Sequence, residues 1–145
     1  MHRLLIITLS IILFSACSKT TIKKEMYADG KLKSEKTYKK IEGKEQLVKE
    51  VTYHPNGEKY IEGNYTNELR DGYWASWFPD GKLWSEGQFK AGESHGKRTV
   101  YHENGKLYYE GNFDMGRRVG VWTFYDKNGV QVNQIDYDKT PDVKE

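Results

Sequence analysis

Residues 109–129 read Tyr109-Glu110-Gly111-Asn112-Phe113-Asp114-Met115-Gly116-Arg117-Arg118-Val119-Gly120-Val121-Trp122-Thr123-Phe124-Tyr125-Asp126-Lys127-Asn128-Gly129, and the pattern recurs upstream. Moving back 24 positions gives Glu86-Gly87-Gln88-Phe89, then Gly92, Gly96, Arg98, Tyr101 and Asn104-Gly105. Another 24 gives Glu62-Gly63-Asn64-Tyr65, then Glu68, Gly72, Trp74, Trp77 and Asp80-Gly81. Four columns are strict: Gly57, Gly81, Gly105 and Gly129; Glu62, Glu86 and Glu110; Gly63, Gly87 and Gly111; Gly72, Gly96 and Gly120. Self-similarity at a fixed period of this length marks an array of one supersecondary unit. A worn first copy starts at Asp29-Gly30 and keeps Glu35 and Tyr38. Its next aromatic, Tyr53, arrives three residues late, which predicts a longer loop within Lys40 to Gln46.

The unit is a β-hairpin. Pro55-Asn56-Gly57, Pro79-Asp80-Gly81, Glu103-Asn104-Gly105 and Lys127-Asn128-Gly129 are turn signals, because Asn-Gly and Asp-Gly tolerate positive φ. Runs of strand length separate them, such as Lys82 to Lys90 and Gly96 to His102. Glycine inside a strand weakens it unless a neighbouring ring lies across the bare backbone, so Gly63, Gly87 and Gly111 are expected to be seats for aromatic side chains. No helical apolar period survives beyond the first twenty residues. The expected fold is all-β: an elongated, twisted antiparallel sheet of stacked hairpins.

Composition agrees. A mean hydropathy of −0.86 would suit a disordered chain, but 14% aromatic residues argue against disorder. A formal charge of +2, from 23 basic and 21 acidic residues, excludes a strongly basic nucleic-acid binder. One cysteine excludes a disulfide framework and a cysteine-rich zinc site.

The run Tyr109-Glu110-Gly111-Asn112-Phe113, followed by Gly116, Gly120, Trp122, Tyr125 and Asn128-Gly129, resembles the MORN repeat. It is similar above all to the bacterial variant often catalogued among antitoxins. The resemblance covers roughly Tyr53 to Tyr137, with the worn copy from Tyr27. It implies hairpins placed side by side in one long sheet, with each repeat touching mainly its neighbours.

The beginning of the chain reads as an address. Met1-His2-Arg3 is a short cationic start, and Leu4 to Phe14 an apolar stretch too short to span a bilayer comfortably. Phe14-Ser15-Ala16-Cys17 resembles the bacterial lipobox, which implies cleavage between Ala16 and Cys17 and lipidation of Cys17. Several acyl chains would give stable anchoring where one would not. Ser18 after the cysteine implies, by the same resemblance, the Gram-negative outer membrane. The expected organisation is a signal over 1–16, a tether over 17–26, a repeat domain over 27–139 and a tail over 140–145.

Nothing in the pattern carries catalysis, a metal or a cofactor, and an enzyme is not expected. His54, His95 and His102 fall in or beside turns without a second ligand type at metal spacing, and read as solvated. Glu62, Glu86 and Glu110 lie about 10 Å apart if they sit one hairpin apart. Recurrence in every copy points to cross-strand pairing or backbone bonding, the alternative being a ladder for a basic partner. Trp74 and Trp77 are an odd number apart along one strand and should face opposite ways. The column Tyr60, Trp84 and Tyr108 either packs between repeats or forms an open binding surface. The favoured function is a lipid-anchored envelope scaffold for a protein or peptide partner. The alternatives are an aromatic-lined glycan or cell-wall module and an antitoxin- or immunity-type protein.

Overall fold

The computed structural model describes residues 20–140. Signal, cleavage site and Cys17 lie outside the described residues, as does the tail after 140. Ten strands follow one another: β1 Thr20–Met26, β2 Leu32–Ile41, β3 Lys44–Tyr53, β4 Lys59–Thr66, β5 Leu69–Trp77, β6 Leu83–Lys90, β7 Glu93–Tyr101, β8 Leu107–Asp114, β9 Arg117–Tyr125 and β10 Gln131–Asp136. They form one sheet in the order β1 to β10, and all nine pairings are antiparallel. Nine steps of about 4.8 Å give a sheet roughly 43 Å across its strands.

The two edges of this ribbon use different turns. Along one edge lie Glu42-Gly43, Asn67-Glu68, Ala91-Gly92 and Met115-Gly116, each pair with both φ angles positive. These are two-residue type I′ turns, whose twist suits a hairpin. Along the other lie the Asn-Gly and Asp-Gly turns. There only the glycine takes positive φ, and Gly57 N–H bonds the His54 carbonyl while His54 N–H bonds the Glu58 carbonyl. That is a type I turn closed by a left-handed glycine, and it explains why Pro55 and Pro79 are tolerated at its second position. The preceding Asn or Asp accepts the amide two residues on instead: Asn56 Oδ1 from Glu58, Asp80 Oδ1 from Lys82, Asn104 Oδ1 from Lys106.

Two expectations are corrected. Segment 17–26 was expected to be a tether, but Thr20–Met26 is the first strand, in register with β2 from Thr20↔Lys39 to Met26↔Leu32. Its polar, lysine-bearing composition is that of an exposed edge strand, where charge discourages further pairing. The three extra residues of the first copy do not form a longer loop over Lys40 to Gln46. β2 and β3 have 10 residues each where β4 and β5 have 8 and 9, so the excess lengthens the hairpin and a bulge at Thr37/Tyr38 absorbs it.

Registration lays the repeat columns out as rows across the sheet. One row runs Glu35↔Val51↔Glu62↔Ala75↔Glu86↔Thr99↔Glu110↔Thr123, a carboxylate on every second strand with a small residue between. One residue further along the strands, and so on the opposite face, runs Glu50↔Gly63↔Trp74↔Gly87↔Arg98↔Gly111. Large residues here alternate with glycine. A Cβ atom on Gly63 would overlap the Trp74 indole, and one on Gly111 the Trp122 indole. Arg98 lies over Gly87, with its Cδ 2.9 Å from where a Cβ would stand. Trp74 and Trp122 are 5% and 3% exposed, while no large side chain in the described residues is fully buried. The core is a strip of indole and backbone.

Candidate binding surface

Both faces carry aromatic rings, in different states. On the indole face, Tyr65 and Phe89 pack edge-on against Trp74, and Phe113 and Tyr137 against Trp122. Each indole N–H is satisfied within its own hairpin, Trp74 Nε1 donating to Asn64 O and Trp122 Nε1 to Asn112 O. Guanidinium groups cover the rings: Arg70 lies 4.5 Å from the Trp74 centroid and Arg118 5.3 Å from that of Trp122. Arg70 stands four residues before Trp74 on β5 and therefore shares its face by simple strand alternation, as Arg118 does with Trp122 on β9. The repeat period alone gave no sign of that lid.

On the carboxylate face the glutamate column is occupied within the molecule. Glu86 accepts the hydroxyls of Tyr73 and Tyr101, and Tyr53 donates to Glu35 in the same manner. Glu62 pairs with Lys49 and Lys59, and Glu110 with Lys97 at 2.8 Å. Hydrogen bonds from Lys49 and Lys59 hold the Glu62 carboxyl below its ordinary range. Burial, reinforced by the bond to Glu86, pushes the Tyr73 phenol up to about 12. Tyr65, on the other face, is likewise raised to about 12 by burial and by its bond to Glu50. Tyrosine and glutamate columns are therefore one lattice.

The Tyr60, Trp84 and Tyr108 column stays open. These rings are 37%, 40% and 44% exposed, and each rests on a ring beside the Asn-Gly edge, His54 at 4.6 Å, Phe78 at 5.7 Å and His102 at 4.6 Å, with Tyr109 a second neighbour of Tyr108. The supporting histidines are not solvated turn residues, contrary to expectation. His54 Nε2 lies 2.9 Å from Trp77 O and His102 Nε2 3.0 Å from Tyr125 O, so in each ring the N–H sits on Nε2 and donates to the next repeat. Tyr27 does the same, its hydroxyl 2.6 Å from Tyr53 O. Asn56 and Asn104 add parallel links, their Nδ2 groups donating to Pro79 O and Lys127 O. The rung position is legible at the 24-residue spacing of 54, 78 and 102, but His, Phe and His do not announce one role. His95, the third candidate, sits on β7, its Nδ1 3.5 Å from Asp114.

The model of the MORN repeat variant matches residues 20–40, 47–67, 70–91 and 94–115. The chain belongs to this family. The matched segments cover more than half of it, and each falls on one of the hairpins described above. No curated protein matches this MORN-repeat chain. A solved structure from Bacteroides fragilis NCTC 9343, titled a protein with unknown function, is 10% identical to it, over 82% of this chain and 92% of its own, with a TM-score of 0.25.

Proposed function

We propose that this MORN-repeat scaffold is held at the bacterial cell envelope, at the outer membrane, by lipid on Cys17, and that it binds a protein or peptide partner without catalysing a reaction. One observation carries the binding part: Tyr60, Trp84 and Tyr108 present a half-exposed ring on each of three successive hairpins, on one face and along one edge. Tyr and Trp in such rows supply contact area at low entropic cost, and exposed aromatic rows mark contact sites. The indoles of Trp74 and Trp122 and the carboxylates of the glutamate column are committed within the molecule, whereas this row stays at the surface. The anchor rests on Phe14-Ser15-Ala16-Cys17 in its sequence context.

Crosslinking of the full-length chain in its own envelope tests both parts. A defined protein adduct should form with the wild type and be lost in a Trp84→Ala/Tyr108→Ala variant. An adduct of equal yield in that variant refutes the row as the binding surface. Cys17→Ser should release the chain from the membrane fraction and abolish incorporation of a labelled fatty acid. Retention of the label overturns the anchor.

A further inference from the structure

The rung ladder along the Asn-Gly edge has a gap. Tyr27, His54 and His102 each donate to a carbonyl of the next repeat, namely Tyr53 O, Trp77 O and Tyr125 O. The remaining carbonyl in this column is Tyr101 O, and its rung residue is Phe78, which has no donor. Among the described residues no side chain takes its place. Backbone pairing on the β6 side does not reach there either: the β6–β7 register begins at Ser85↔Val100, one residue short, while Tyr101 pairs with Leu107 on its β8 side. A groove of about 390 Å³ opens at this position, lined by Phe78, Tyr101, His102, Glu103, Asn104 and Lys127.

Its charge selects the guest. Lys127 lines one side, and Lys82 reaches across to Glu103 O at 3.2 Å while paired with Asp80 at 2.6 Å. Two ammonium groups oppose a third cation, and the Glu103 carboxylate and the open carbonyl oppose an anion. A neutral N–H donor remains, the kind the molecule itself uses in the flanking repeats as imidazole and carboxamide. Trp84, 40% exposed, packs on Phe78 and so connects the aromatic row to the lining of the groove.

We infer that the gap at Phe78 is a recognition notch for an extended partner peptide, which places a neutral imidazole or carboxamide N–H on the Tyr101 carbonyl and so completes the ladder from outside. This deepens the proposed function and rests on the aromatic row being a binding surface. Hydrogen-bonded discrimination of this kind is the stronger form of selectivity, since a ligand lacking the donor leaves a buried acceptor unpaired.

Phe78→His tests it, because it installs the residue found at positions 54 and 102 and fills the notch from within. The probe is acetyl-Tyr-His-Glu-Asn-Gly-amide, the sequence of residues 101–105, titrated into the full-length chain in detergent while the Trp84 indole N–H is followed by NMR. The wild type should show a saturable shift at Trp84. Phe78→His should weaken it at least fivefold with the Trp74 and Trp122 signals unmoved, and replacing the probe's His by Phe should weaken it comparably. Equal affinity of Phe78→His and wild type, or no saturable shift with the wild type, overturns the notch. Envelope crosslinking separates the two ideas. Adducts kept by Phe78→His but lost by Trp84→Ala/Tyr108→Ala remove the notch and leave the row standing. Adducts kept by both variants remove the row as well.

Discussion

Trp74 lies across Gly63 so closely that the glycine has no room for a Cβ atom; the carbon would fall within the indole itself. Trp122 and Gly111 repeat the arrangement two hairpins on, and between them Arg98 takes the same place over Gly87.

Alanine at these seats should therefore be costly in a graded way. Gly63→Ala and Gly111→Ala force a buried indole off the sheet, and overpacking of this kind costs about 1–3 kcal/mol. Gly87→Ala meets only the Cδ of a flexible arginine at 2.9 Å and should cost visibly less. Urea denaturation of the three variants gives the order directly, and equal losses would contradict it.

Truncation should separate the two kinds of tryptophan. Trp74 is 5% exposed and sealed between two repeats, so Trp74→Ala should lose about 3–5 kcal/mol. Trp84 is 40% exposed, and Trp84→Ala should lose far less while removing binding. Thermal unfolding of both variants decides this.

Position 68 breaks the repeat where the other type I′ turns carry glycine. Glu68 has φ of 66° and Asn67 before it 51°. Left-handed backbone costs a non-glycine residue about 1–2 kcal/mol. Glu68→Gly restores Asn-Gly and should stabilise the protein by about 1 kcal/mol, raising the urea midpoint without changing the slope.

The raised phenols predict an alkaline limit, with half-buried Tyr65 contributing more than the exposed and better-solvated Tyr73. Tyr65 and Tyr73 ionise near 12 in the folded chain against an ordinary value of 10.0. A raised folded pKa means that the unfolded chain releases its proton first as pH climbs. Stability is thus fully present below pH 10 and drains away between 10 and 12. Tyrosinate absorbance against pH, with denaturation midpoints taken alongside, should show this window. In a Tyr65→Phe/Tyr73→Phe variant the decline should be shallower.

The repeat period made the hairpins, the sheet and the aromatic seats at Gly63 and Gly111 legible, because these columns recur in strict register; at Gly87 the expected ring is replaced by the side chain of Arg98. What escaped the sequence depends on register shifts and on single atoms. The bulge at Thr37/Tyr38 that absorbs the expected loop cannot be counted from spacing, and the four-residue step puts Arg70 on the Trp74 face without showing that its guanidinium caps the ring. The histidine rungs read as solvated because proximity to a turn says nothing of the carbonyl waiting across the next hairpin. The edge strand Thr20–Met26 read as tether because its exposed, lysine-rich composition is shared by both. Among the proposed site residues, Glu62, Glu86 and Glu110 prove to be bound within the sheet, while Tyr60, Trp84 and Tyr108 stay at the surface.

Every strand in this sheet pairs only with its neighbours in sequence. Length is consequently a quantity that gene duplication can dial. Inserting or deleting one 24-residue copy would shift everything downstream by two strand spacings, about 10 Å, with both faces preserved. The molecule behaves as a ruler with removable graduations, and a change at one graduation, such as Phe78 for histidine, individualises that mark while the rest of the scale stays the same.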